Sequence, residues 1–238
     1  MKKILCDSYE EICRVAADFY TRQLGDKPDS ILGLATGGTM IGLYEELVRR
    51  YQEGKIDFSK ARSFNLDEYY PIKKSHPQSY DSYMRENLFD KVNFLKTSLP
   101  DGEAADPIAE CSRYDEELES AGGIDLMLLG IGVNGHIGFN EPAKTYHLGT
   151  NLVGLTESTL VANSRFFGPG ERQPDQALTM GIGSIFASNK ILLLISGTSK
   201  GQIAGRLFEG NLHTDVPACL LLLHPDVTII IDREADGG

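Results

Sequence analysis

Tryptophan is absent from the 238 residues. The four cysteines, Cys6, Cys13, Cys111 and Cys219, form no C-x-x-C pair and no metal-knuckle spacing. They are expected to be reduced, packed thiols of a cytoplasmic protein. Basic residues are also in short supply. Lysine and arginine number 23 against 34 acidic residues, a formal net charge of −11. Nucleic acid and polybasic membrane contact need clustered Lys and Arg, so neither partner is expected. Small anionic ligands stay open, because a few local donors can hold one. Long apolar runs are missing too. The longest, Val216 to Leu223, contains Pro217 and falls far below a membrane span. After Met1-Lys2-Lys3 the apolar stretch stops at Asp7, too short for a signal-peptide core. No low-complexity linker and no fixed repeat is visible.

What is present is ordinary for a globular protein with a real core: 41% hydrophobic and 24% charged residues. Ser8 with Glu11 forms a capping-box signature that opens a helix to about Leu24. A β-type run, Ser30 to Ala35, leads into Thr36-Gly37-Gly38-Thr39. Apolar residues then recur at Met40, Leu43, Tyr44, Leu47, Val48 and Tyr51, an amphipathic helix stopped near Gly54. Further strands are expected at Ala61–Leu66, Ile124–Ile131, Leu152–Leu155, Lys190–Ile195 and Val227–Ile231. Helices are expected at Ser79–Leu88, at Asp106–Ser120 with Pro107 at its first position, after Ser196-Gly197, and over Pro217–Leu223. This alternation implies a single α/β domain over residues 1–238, a three-layer sandwich with a mostly parallel Rossmann-like sheet. Ligands of such sheets sit outside the carboxyl ends of the strands, where the unusual residues of this chain fall.

Four segments carry chemistry. Thr36-Gly37-Gly38-Thr39 joins a strand to a helix, so its amides and the helix dipole could cradle a phosphate; a capped tight turn is the plainer reading. Asp67-Glu68 follows a strand and offers a general base, or else a solvated acidic loop. Gly130 to Gly135 matches G-x-G-x-x-G, but His136, Gly138 and Glu141-Pro142 break the helix that a dinucleotide site requires. There His136 is a candidate proton carrier, with Asn134 and Glu141 as orienting partners. Arg165 and Lys200 are candidate counter-charges for a phosphate in an acidic chain. His76, His147, His213 and His224 have no comparable setting.

Gly33 to Thr39 (G-x-x-T-G-G-T), Phe64 to Tyr69 (F-N-L-D-E-Y), Gly135 to Pro142 (G-H-I-G-F-N-E-P) and Ala162 to Phe167 (A-N-S-R-F-F) together resemble the glucosamine-6-phosphate deaminase family, in the same order over nearly the whole chain. The resemblance implies conversion of glucosamine 6-phosphate and water to fructose 6-phosphate and ammonia, with no cofactor and no metal. It implies that His136, held by Asn134 and Glu141, opens the sugar ring, and that Asp67 carries a proton from C2 to C1. It implies that Thr36, Gly37, Gly38, Thr39, Gly135, Arg165 and Lys200 bind the substrate. Some members have aspartate where this chain has Asn134, so charge beside His136 would rest on Glu141. Residues 143–150 depart from the family wording. Asn151 and Val153 replace basic residues of members activated by an N-acetylated sugar phosphate, and the chain ends at Gly238 without their longer tail, so no such activation is expected. The alternatives are a hydrolase resembling 6-phosphogluconolactonase and a non-catalytic sugar-phosphate sensor.

Overall fold

A computed structural model describes residues 1–156, 160, 167, 173–213 and 215–237. Its centre is a seven-stranded parallel sheet: β1 (Lys2–Cys6), β2 (Ile31–Leu34), β3 (Arg62–Asn65), β5 (Lys96–Ser98), β6 (Leu126–Gly130), β9 (Ile191–Ile195) and β10 (Val227–Asp232). The spatial order is β1-β10-β9-β6-β2-β3-β5. Helices α1 (Tyr9–Asp26), α2 (Gly38–Gln52), α3 (Tyr80–Asn87), α4 (Pro107–Ala121), α5 (Ile182–Phe186) and α6 (Gly201–Phe208) connect and flank the strands. The expected α/β sandwich with a mostly parallel sheet is therefore what forms. The inner strands β2, β9 and β10 are buried at every position, as a sheet covered on both faces requires.

Helix ends follow their caps. Ser8 Oγ accepts from Glu11 N at 3.3 Å, and Glu11 Oε2 reaches back to Asp7 N at 2.6 Å. Asp106 accepts from Ile108 N and Ala109 N, Pro107 follows, and Gly122 ends α4 in the left-handed region at φ 105°. Pro217–Leu223 is a seven-residue 3-10 helix rather than an α-helix.

A second sheet has no counterpart in the sequence expectations. β4 (Asp67–Tyr70), β8 (Gln176–Thr179) and β7 (Asn151–Gly154) pair antiparallel in the order β4-β8-β7. The strand expected at Leu152–Leu155 thus belongs here and not to the parallel sheet. Asp67 opposes Thr179 and Tyr70 opposes Gln176.

The topology defines one crevice. From β2 the chain steps through β3 to β5 on one side, then returns to lay β6 on the other side of β2, with Leu32 opposite Leu126. That reversal is the switch point at which strands diverge and a ligand can enter. Buried phenols fix the strand ends around it. Tyr44 donates to Ala35 O at 2.5 Å, and Tyr114 donates to Asn65 O at 2.7 Å and Ser98 O at 3.1 Å.

Candidate active site

At the carboxyl ends of β2, β3, β6 and β9 lies a cleft of about 350 Å³. Thr36, Gly37, Gly38, Thr39, Asp67, Asn134, His136 and Lys200 all line it. Segments far apart in sequence meet there because each follows a strand of one sheet.

The turn after β2 is built to present donors. Gly37 is the N-cap of α2 at φ 111°, in the left-handed region, and no side chain caps the helix. The carbonyls are held by tyrosines. Tyr83 donates to Gly37 O at 2.8 Å and Tyr9 donates to Thr39 O at 3.1 Å. No Cβ position at Gly37 or Gly38 meets another atom, so the approach to the helix start is open. An uncapped helix N-terminus facing a cleft is an anion site in the making.

Lys200 reaches the same cleft from the far side of β6. It sits in the 3-10 turn Thr198–Lys200 after β9. The buried carboxylate of Asp232 fixes that turn, accepting from Ser196 Oγ at 2.5 Å, Gly197 N at 3.1 Å and Ala235 N at 2.8 Å. No described carboxylate lies within ion-pair distance of Lys200, and burial lowers its pKa. An ammonium in the same cleft as a helix N-terminus suits a dianionic group. Arg165, the other expected cation, lies outside the described residues.

Asp67 is the first residue of β4 and only 6% exposed. Burial, helped by the neighbouring Glu68 charge, pushes its pKa up to about 8. Glu68 is 2% exposed, and burial raises its pKa to about 7 against the pull of three backbone N–H donors. The solvated-loop reading of this pair is therefore wrong: β4 pairs with β8, both carboxyls are buried, and Asp67 meets the cleft.

The glycine-rich segment after β6 is no dinucleotide turn. A Cβ on Gly132 would lie 2.2 Å from His136 Cε1, so this glycine makes room for the imidazole. Gly138, at φ 57°, brings the loop against Asp67: its Cβ position is 3.0 Å from Thr179 Oγ1 and 3.5 Å from Asp67 Oδ2. His136 Nδ1 lies 3.3 Å from Glu141 Oε1, within ion-pair range but out of line for a hydrogen bond. Asn134 Nδ2 donates to Glu141 Oε2 at 2.6 Å, while Asn134 Oδ1 accepts from the backbone N of His136 at 3.2 Å. Asn134 thus braces the loop and the glutamate, not the imidazole directly. Gly135 is off the cleft wall. Its Cβ position would strike Val216 Cγ1 at 2.5 Å, which marks a packing glycine.

Several lining residues escaped the sequence analysis: Met40, Leu66, Tyr80 and Phe139. The Tyr80 and Phe139 rings lie parallel within 2°, centroids 6.2 Å apart. Helical periodicity marks Met40 as core and nothing more, and Tyr80 is brought in by a helix start whose position depends on β4. His224 is structural, as expected: buried, it contacts Ser188 O at 2.8 Å through Nε2 and accepts from Asp226 N at 3.1 Å. Among the described residues no three His, Cys, Asp or Glu side chains gather to hold a metal, and no helix is long and apolar enough to cross a membrane.

Known proteins resemble this chain in sequence and fold. Residues 7–230 match the family described as glucosamine-6-phosphate isomerases/6-phosphogluconolactonase. A glucosamine-6-phosphate deaminase of Thermoanaerobacter pseudethanolicus is 50% identical over 237 residues, covering 99% of this chain and 94% of its own. One from Halothermothrix orenii is 48% identical, with coverage of 99% and 98%. A solved monomeric glucosamine-6-phosphate deaminase is 44% identical and superposes with a TM-score of 0.93 over 100% of this chain and 99% of its own. A 6-phosphogluconolactonase of Thermotoga maritima shares the fold at a TM-score of 0.76 over 97% and 98% of the two chains, with 20% identity. By sequence and by structure, the chain belongs to the glucosamine-6-phosphate isomerase and 6-phosphogluconolactonase family, among its glucosamine-6-phosphate deaminases.

Proposed function

We propose that this protein is an isomerising deaminase, a hydrolase of a C–N bond, that converts glucosamine 6-phosphate and water to fructose 6-phosphate and ammonia. The observation that carries this reading is the convergence in one cleft of an uncapped helix N-terminus, a lysine with no ion-pair partner among the described residues, a buried carboxyl and a histidine beside a glutamate. The phosphate binds the amides of Gly37 and Gly38 with the hydroxyls of Thr36 and Thr39, and Lys200 supplies the counter-charge. This places the sugar along the wall between Asp67 and His136.

Three steps follow. His136, its Nδ1 beside Glu141, uses Nε2 to move a proton between the ring oxygen and the anomeric hydroxyl, which opens the pyranose. Asp67 as carboxylate removes the C2 proton, acidified by the C1 aldehyde and the C2 ammonium, and returns it to C1. The electron pair moves through the enol while one ammonium proton passes to the C1 oxygen, and a protonated 2-imino compound remains. Water adds to that imine carbon, ammonia departs and the ketose remains. The arriving ammonium lowers the pKa of Asp67, so substrate binding itself favours the active carboxylate. Proton transfers and hydrolysis need no electron sink, so this reading requires neither metal nor organic cofactor. Four buried thiols suit a reducing compartment, which makes the cytoplasm its setting.

Ammonia release from glucosamine 6-phosphate, run beside hydrolysis of 6-phosphogluconolactone, tests the proposal. Ammonia with negligible lactone hydrolysis is expected. Folded protein that hydrolyses lactone and releases no ammonia would overturn it.

A further inference from the structure

Glu68 is a buried carboxyl that the steps above do not use. It does not line the cleft, yet both of its oxygens are engaged. Oε1 accepts from Tyr69 N and Tyr80 N, each at 2.8 Å, and Oε2 accepts from Asp81 N at 3.0 Å. Ser79 is the N-cap of α3, and its hydroxyl takes the amide of Ser82 at 3.0 Å. Two further amides at the helix start, those of Tyr80 and Asp81, are left to a carboxylate that comes from another element. Glu68 therefore pins the start of α3 to β4 and places Tyr80 against the cleft.

We propose that Glu68 is a positioning residue with an electrostatic duty: it clamps the β4–α3 junction and keeps a negative charge buried beside Asp67. The proposal rests on the reading of Asp67 as the proton carrier. Three backbone amides favour the carboxylate form of Glu68 against its burial. With a pKa of about 7 it is ionised where Asp67 titrates, at about 8, and that neighbouring charge makes Asp67 a stronger base than burial alone would. A stronger base suits abstraction of a carbon-bound proton, once the substrate ammonium has restored the carboxylate form.

Other groups facing the pair are accounted for. Tyr69 on β4, Tyr80 on α3, Tyr44 on α2 and Tyr114 on α4 face Asp67, and burial raises the pKa of each, so all stay neutral near pH 7. Asp81 on α3 faces Glu68 and is itself paired with Arg85 at 2.6 Å. Lys200 and His136 line the same cleft as Asp67. Among the described residues, Glu68 is the anion set directly beside Asp67.

The test is the pH dependence of kcat/KM for glucosamine 6-phosphate. Glu68→Gln removes the charge and keeps the shape, so the acid limb is expected to move down by about one pH unit while kcat falls. Glu68→Asp keeps the charge but shortens the reach, so kcat falls with the limb in place. Loss of activity in Glu68→Gln with an unmoved limb would show a purely structural role and overturn the proposal. Should Glu68→Gln fail to fold, carboxyl ¹³C NMR of wild type and Asp67→Asn replaces it. Glu68 is expected to ionise first and its charge to raise the midpoint of Asp67, whose resonance Asp67→Asn assigns by its loss. A Glu68 carboxyl that stays protonated through the pH range in which Asp67 ionises would equally overturn the proposal. Retained C2-proton exchange in Asp67→Asn would instead sink the base assignment, and the NMR coupling would still be measured independently.

Discussion

Asp67 carries opposite demands. Burial raises its basicity, as the proposed proton carrier requires, and also makes its charge costly to the fold. Its pKa in the fold, about 8, lies above the ordinary value of 3.8. The protonated form therefore supports folding fully below pH 3.8, and that support is lost as pH climbs through 8. Asp67→Asn should abolish exchange of the C2 proton with solvent and lower kcat by about 10²–10⁴-fold. The same change should stabilise the protein at pH 9 by about 1–3 kcal/mol, with little gain at pH 4, read from thermal melts at both values. In the wild type, kcat/KM should rise with pH up to about 8, as free Asp67 ionises. The limb in kcat should lie lower, because the bound ammonium favours the carboxylate. Gly132 gives a second prediction. A methyl group there would collide with the His136 ring, so Gly132→Ala should fold yet lose most activity on the ring-closed substrate, with a smaller loss on an open-chain analogue. Equal losses on both would refute the ring-opening role of His136.

Element ends, rather than whole elements, set the binding geometry. The α2 N-terminus and the β9–α6 turn face each other across β6, one offering amides and the other Lys200. Lys200→Met should raise KM about 10–100-fold with a smaller effect on kcat, because a phosphate contact is made equally in ground and transition states. Asp232 does not line the cleft but holds the start of the Lys200 turn through Ser196 Oγ and Gly197 N, so Asp232→Ala should raise KM as well. It should also cost about 2–4 kcal/mol in stability, because the donors around it become unsatisfied while buried. Denaturant melts beside steady-state kinetics separate the two effects. The contrast with Lys200→Met, expected to melt close to wild type, is the informative comparison.

Across the whole molecule, charge acts locally. A net charge of −11 argues against polyanionic partners, whereas the proposed phosphate site depends on the local amides of α2 and on Lys200. β7 carries Asn151 and Val153 at positions where the resemblance places basic residues in activated members. Substrate saturation is therefore expected to be hyperbolic and insensitive to N-acetylglucosamine 6-phosphate; a sigmoidal curve that the effector straightens would refute this. Much of the site was legible along the chain. Turn chemistry is local, so Thr36 to Thr39, Asp67 and the run from Asn134 to Glu141 could be picked out, and strand–helix alternation placed them at one sheet edge. The roles were less legible. Whether Asp67-Glu68 is a solvated loop or a sealed pair depends on β8, a strand more than a hundred residues away that contributes Thr179 opposite Asp67. Gly135 shares a motif with His136 yet packs against Val216, and Tyr80 enters the cleft only because Glu68 ties its amide to β4. The sequence by itself determined the α/β class, the candidate chemistry and the loops that carry it, because helix caps, strand runs and glycine turns depend on near neighbours. Only the tertiary structure decided which carboxyls are buried, which glycine serves the histidine and which tyrosine walls the cleft. Burial and ionisation depend on atoms brought together from distant parts of the chain, and no local pattern encodes them.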